Sequence, residues 1–128
     1  MSEHVLDASA LLAVMFGERG AEQVLEILAG SVIGAVNLAE VAAKLQERGV
    51  PDAEIERSVA ELGLPVIPFD EAQAMAAGTL RRRTKSLGLS LGDRACLALA
   101  MARRVPAVTT DRNWAKLDIG AKVVVARD

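Results

Sequence analysis

The sequence predicts an α/β fold in which a parallel sheet is flanked by helices on both faces. Three observations carry this expectation. Short apolar runs alternate with segments of helical spacing from one end of the chain to the other. The length, 128 residues, fits one domain. Hydrophobic residues make up 52% of it, enough for a buried core, and they are mostly Ala, Leu and Val, with no Tyr, two Phe and one Trp. Ala and Leu favour helix, so small side chains should make the helix contacts.

The elements follow in order. His4, Val5 and Leu6 form a short apolar run stopped by Asp7, which reads as a strand. Residues 9–16 read as helix. Gly17 and Gly20 punctuate, and residues 21–28 have helical spacing, with Val24, Leu25 and Leu28 on one face. Gly30 is expected to end that helix with a positive φ. Residues 31–36 are strand-like and lead into a helix from about 38 to 47, closed by Gly49. Pro51 and Asp52 open a helix that Gly63 stops. Val66 and Ile67 form a short strand between Pro65 and Pro68. Asp70 is placed to cap a helix running through Arg83. Ser90, with Asp93 three residues on, has the pattern of a capping box for a helix over 91–104. Residues 106–110 read as a strand ending at Asp111, and 122–126 as the last strand. No repeat, linker or low-complexity stretch divides residues 1–128, which read as a single domain.

The formal net charge is −2. A protein that holds nucleic acid by bulk electrostatics usually carries a basic surplus, so any such role must rest on local basic clusters and bound cations. Cys96 is the only cysteine, which excludes an internal disulfide and Cys-rich metal sites. The first residues lack a basic segment followed by a long apolar run, so no signal peptide is expected. The longest apolar run, 95–102, is far short of the roughly 20 residues of a membrane span. A cytoplasmic protein with no membrane association is the expectation.

Ligand sites of open α/β sheets form beyond the carboxyl ends of the strands. Four acids fall there. Asp7 and Asp111 directly follow strands, Asp93 lies in the first turn of the helix opened by Ser90, and Glu40 is expected in the first turn of the helix after the second strand. Each has a plainer reading: Asp7 as an N-cap, Asp93 as half of a capping box, Glu40 as a first-turn residue favoured by the helix dipole, Asp111 as a turn residue. Clustered carboxylates repel and resist desolvation unless a counter-charge is present. A hard divalent cation such as Mg²⁺ supplies one, and it can also polarise a phosphate and activate water. His4 is the only histidine and stands at a strand start, so histidine-based catalysis is not expected.

These residues resemble the motifs of PIN-domain proteins. The stretch from Leu6 and Asp7 through Ser9 to Leu12 is similar to the family's opening, and Asn37 to Val41 to its second motif. Leu89 to Ala100, containing Ser90, Gly92, Asp93, Arg94 and Cys96, is similar to the third, and Val108 to Trp114, containing Thr109, Asp111 and Arg112, to the fourth. The closest likeness is to the VapC-type toxins of toxin–antitoxin pairs. The resemblance implies a five-stranded parallel sheet in a three-layer sandwich, and a Mg²⁺- or Mn²⁺-dependent endoribonuclease that cuts RNA, tRNA or rRNA by family habit. It assigns the acid quartet, as catalytic residues and metal ligands, to Asp7, Glu40, Asp93 and Asp111, and polar assistants to Ser9 and Thr109. It implies a VapB-type antitoxin as partner, and a homodimer. Asn37 departs from the small hydroxyl residue of many relatives. The alternative to an enzyme is a PIN-like module that binds RNA or protein without cutting. An aspartyl-phosphate phosphatase would want a second Asp two residues after the first, where Ser9 stands.

Other residues carry two readings each. Arg94 and Arg112 each follow a quartet acid and read as facing the scissile phosphate or the antitoxin, or as simple charge balance. Arg81, Arg82 and Arg83 with Lys85 form the densest basic run, read as a solvated helix end or as an RNA backbone contact. Trp114 is expected to pack under the active-site loop, and Cys96 to be a buried structural thiol. Leu12 and Phe16 lie on an unusually apolar first helix, which reads as core or as a surface for a partner.

Overall fold

The computed structural model describes residues 3–127. Five parallel strands form one sheet: β1 (His4–Leu6), β2 (Ser31–Gly34), β3 (Val66–Ile67), β4 (Ala107–Thr109) and β5 (Val123–Val125), in the order β3-β2-β1-β4-β5. Around it lie α1 (Ala8–Phe16), α2 (Ala21–Ile27), α3 (Ala35–Glu47), α4 (Asp52–Leu62), α5 (Glu71–Thr79), α6 (Arg81–Thr84) and α7 (Leu91–Arg103). The expected α/β sandwich with its parallel sheet is the architecture found.

The layers follow from the two-residue period of the strands. Val5, Val32 and Ala107 point to one face, where they join Leu97, Ala100, Leu80 and Trp114. Their neighbours Leu6, Ile33 and Val108 point to the other face and join Leu11, Val24, Val41 and Ile55. Both faces of β1 and β4 are covered, which is why these strands read as continuous apolar runs rather than alternating ones.

The chain steps from β1 out through β2 to β3, then returns to the far side of β1 for β4 and β5. The direction reverses between β1 and β4, whose register pairs Leu6 with Val108. A doubly wound sheet opens a crevice at such a reversal, beyond the carboxyl ends of the strands. Asp7 and Asp111 follow the two strands that flank it.

Several boundaries differ from expectation. The helix expected from residue 38 begins at Ala35, so Glu40 lies in its second turn and not its first. Gly30 does not take a positive φ; a short 3-10 turn over Leu28–Gly30 carries the chain into β2. The single helix expected through Arg83 breaks at Leu80 into α5 and α6. Gly78 and Thr79 are weak helix formers there, and the Thr79 hydroxyl bonds back to the carbonyl of Met75. A 3-10 turn over Arg112–Lys116 was not foreseen. At Gly20, φ is +91° and a side chain would collide with the carbonyl of Ala126, which fixes the start of α2 against the end of β5.

Candidate active site

An open cleft of about 240 Å³ is lined by Asp7, Ala8, Ser9, Leu12, Glu40, Lys44, Asp93 and Asp111. All four acids of the expected quartet therefore meet in one place. They arrive from α1, α3, α7 and the turn after β4.

Three of them are also helix caps. Asp7 is the N-cap of α1, accepting from the Ala10 N–H at 2.8 Å. Asp93 forms half of a capping box: its Oδ2 accepts from the Ser90 N–H at 2.9 Å while its own N–H donates to the Ser90 hydroxyl at 3.2 Å. Asp111 accepts from the Asn113 N–H at 2.9 Å and opens the 3-10 turn. The plain reading and the functional one hold together at these positions. The amino ends of α1 and α7 also bring positive partial charge to the acids, easing their repulsion.

Asp7 is the buried member, 5% exposed. The Ser9 hydroxyl donates to its Oδ1 at 2.7 Å and the Thr109 hydroxyl to its Oδ2. Oδ1 thus takes two hydrogen bonds and Oδ2 one, leaving a lone pair of Oδ2 free. Burial raises the Asp7 carboxyl from the usual carboxylate range to about 6; the hydrogen bonds pull it down and the charge of Asp93 pushes it further up. Glu40 is also raised, first by burial and then by Asp93.

Ser9 and Thr109 hold the acids rather than standing free. Besides its bond to Asp7, Ser9 Oγ accepts from the Thr110 N–H at 3.0 Å. Thr109 Oγ1 accepts from the Asp111 N–H at 3.1 Å, so this fully buried hydroxyl ties Asp7 to Asp111. Neither Arg94 nor Arg112 lines the cleft. The Arg94 guanidinium donates to the carbonyls of Ala77 at 3.0 Å and Gly78 at 3.5 Å, closing the end of α5 onto the first turn of α7. Arg112 is exposed at the start of the 3-10 turn. Trp114, within that turn, packs its side chain into the core below it, and Cys96 is buried in the core, both as expected.

Two contributors were missed. Asn37 is 1% exposed and its amide nitrogen donates both to Glu40 Oε1 and to the Gly92 carbonyl, each at 3.1 Å. Both neighbours are acceptors, which fixes the orientation of the amide. Gly92 has no room for a side chain, because a Cβ there would meet the Glu40 carboxylate. Lys44, four residues after Glu40 on α3, lines the cleft and lowers the Glu40 carboxyl. Its signal in the sequence was that acid–base spacing.

The four acids offer only carboxylate oxygens, and among the described residues no ion pair engages any of them, Lys44 acting on Glu40 from a distance. That chemistry suits a hard divalent cation. Among the described residues no three His, Cys, Asp or Glu stand close enough to form a ready-made cage. The fit is therefore to an ion that keeps several waters and takes only one or two carboxylates directly.

A PIN domain model matches residues 4–120. Ribonuclease VapC42 of Mycobacterium tuberculosis and a VapC ribonuclease of Mycobacterium bovis are each 30% identical over 125 residues, covering 90% of this chain and 95% of theirs. The chain is a PIN-domain protein of the VapC ribonuclease family. Its fold is shared with solved structures. A toxin–antitoxin complex from Klebsiella pneumoniae superposes with a TM-score of 0.75 at 24% identity, over 98% of both chains. VapC20 of M. tuberculosis, described as a toxin cleaving the sarcin–ricin loop, superposes with a TM-score of 0.72 at 16% identity, over 93% of this chain and 98% of that one. Among the described residues, no helix of this PIN-domain protein is long and apolar enough to cross a membrane.

Proposed function

We propose that this VapC-family protein is the toxin of a toxin–antitoxin pair, an endoribonuclease that hydrolyses RNA phosphodiesters by attack of water assisted by Mg²⁺ or Mn²⁺. The observation that carries the reading is the convergence of Asp7, Glu40, Asp93 and Asp111 on one cleft at the sheet's reversal point. The family's ribonucleases support the reaction class.

The ion would be held by Asp7 and Asp93 with Glu40 and Asp111 beside them, and when bound it would supply an activated water and charge stabilisation at the phosphate. The chain's own residues prepare for this. Ser9, Thr109 and the Ala10 amide fix the Asp7 carboxylate and favour its charged form against burial. Asn37 fixes Glu40 against α7. Water is the nucleophile in this reading: the one hydroxyl in the cleft lining, Ser9, already donates to Asp7 and accepts from the Thr110 N–H.

The substrate in this reading is folded RNA, tRNA or rRNA, and the partner a VapB-type antitoxin; the Klebsiella pneumoniae neighbour is itself a toxin–antitoxin complex. Leu12 lines the cleft beside the acids, so an antitoxin segment can meet apolar and acidic surface together. A homodimer of the toxin belongs to the same reading.

The purified protein should cut RNA only with Mg²⁺ or Mn²⁺ and leave 5′-phosphate and 3′-hydroxyl ends. Sequencing those ends identifies the substrate. Robust cutting in excess EDTA, or 2′,3′-cyclic phosphate products, would overturn the mechanism. Induced alone in a host lacking its antitoxin, the chain should arrest growth. Asp7→Ala should not, and the antitoxin should restore growth.

A further inference from the structure

The acid cleft poses a problem for its own substrate. A polyanion must approach four carboxylates on a protein whose net charge is −2. Counter-ions at the acids relieve the last few ångströms, but the flanking phosphates need a positive surface of their own. The densest basic run in the chain, Arg81, Arg82, Arg83 and Lys85, is exposed. Among the described residues, the ion pairs join Lys44 to Glu47, Arg48 to Glu18 and Arg103 to Glu3, so none of them occupies this run.

The connection that carries the run is tied at both ends to the first turn of α7, which bears Asp93. Arg94, next to Asp93 in the first turn of α7, grips the carbonyls of Ala77 and Gly78 in the last turn of α5. The connection that follows, through α6, returns to Ser90, which is hydrogen-bonded to Asp93 itself. One end of the connection is thus held by the residue that follows Asp93 in the chain, its other end by a direct bond to Asp93. Its middle is anchored as well: Leu80, Thr84 and Leu89 are buried, and the Thr84 hydroxyl bonds to the Leu80 carbonyl at 2.9 Å. With the backbone anchored, binding has to order only the side chains and not the loop as well. As a stabilising device the run is poor, since successive like charges repel and α6 is a single turn of four residues.

We propose that the connection from α5 to α7, carrying Arg81, Arg82, Arg83 and Lys85, is the track that holds the RNA backbone as it enters the carboxylate cleft. The proposal rests on the ribonuclease reading and names where that substrate is held. The partner is an RNA phosphate backbone, gripped by guanidinium groups without regard to base.

The test measures binding apart from cutting. The full chain, with EDTA present, is titrated into a fluorescein-labelled RNA stem-loop at several KCl concentrations. Each phosphate neutralised adds about 0.7 to 0.9 to the slope of log affinity against log salt. The triple variant Arg81→Gln, Arg82→Gln, Arg83→Gln should bind roughly tenfold more weakly near 100 mM salt and lose about 2 from the slope. The corresponding triple Lys variant should keep the slope, since a point charge suffices for phosphate. Unchanged affinity and slope in the Gln variant overturn the proposal. So does a Gln variant that binds RNA normally but is no longer neutralised by the antitoxin, which would make the run a protein-docking face. A slope that falls in the Gln variant while the wild type cuts nothing upholds the track and overturns only the ribonuclease reading.

Discussion

At Asp7 burial and hydrogen bonding pull in opposite directions, and burial wins: the carboxyl sits near 6 despite three donors. The folded protein therefore holds a proton on Asp7 more tightly than the unfolded chain does. Between about pH 4 and 6 the contribution of Asp7 to stability falls as pH rises, and at pH 7 its ionised form is a standing cost. The melting temperature of the metal-free protein should rise as pH is lowered from 7 towards 5. Asp7→Asn should remove part of that rise, with Glu40, also raised, supplying the rest. If melting curves in EDTA at pH 5 and 7 coincide for the wild type, burial of Asp7 has been overrated. Asn37 supports a second expectation. Removing its amide leaves Glu40 and the Gly92 carbonyl without their shared donor. Asn37→Ala should keep the fold and weaken Mn²⁺ binding, read by titration, by about 10- to 100-fold, as losses beside metal ligands do. Undiminished Mn²⁺ affinity would leave Asn37 a packing residue only. Asp7, Asp93 and Asp111 were legible in the sequence because each sits at a strand end or a cap, and Glu40 because its helix follows β2, though it lies a turn further in than expected. The role of Asn37 was not, because its partner Gly92 is 55 residues away and only the packing of α3 on α7 joins them.

The helices show why caps and catalytic groups coincide. A strand that ends in an acid and turns at once into a helix puts the carboxylate over the helix's free N–H groups, and the same turn delivers it to the sheet edge. Ser90 isolates the capping half of this arrangement, since it bonds Asp93 without lining the cleft. Ser90→Ala should cost about 1 kcal/mol, whereas Asp93→Asn, which keeps an acceptor for the Ser90 N–H, should melt no lower than wild type in EDTA. Thermal unfolding of the two variants side by side checks this; a large loss in Asp93→Asn would mean that the cap needs the charge. Element boundaries were less legible. Val36 has strand propensity but lies in α3, because Gly34 lets that helix start early, with Leu99 of α7 close against its backbone. The break between α5 and α6 was hidden for a similar reason: the guanidinium that takes up the end of α5 comes from α7.

For the whole molecule, alternation of strands and helices was enough to foresee a parallel sheet, but not the order of its strands. Local pattern cannot say that β4 returns to the side of β1 opposite β2, and it is this return that brings Asp7 and Asp111 to one crevice. The coincidence of cap and acid has a genetic consequence. In a population forced to express the toxin, survivors are those that disarm it. At Asp7, Asp93 and Asp111 a change to Asn keeps an oxygen for the helix end, so a full-length, folded and harmless protein accumulates; a change to Val or Tyr loses cap and chemistry at once, and the protein should be degraded. Glu40 has no cap to keep, so its escape alleles should show a weaker bias, set only by the acceptor it offers the buried Asn37 amide. Sequencing survivors and blotting for the protein would show the bias. Lineages that keep an inert copy able to titrate antitoxin should then carry Asn at these aspartates.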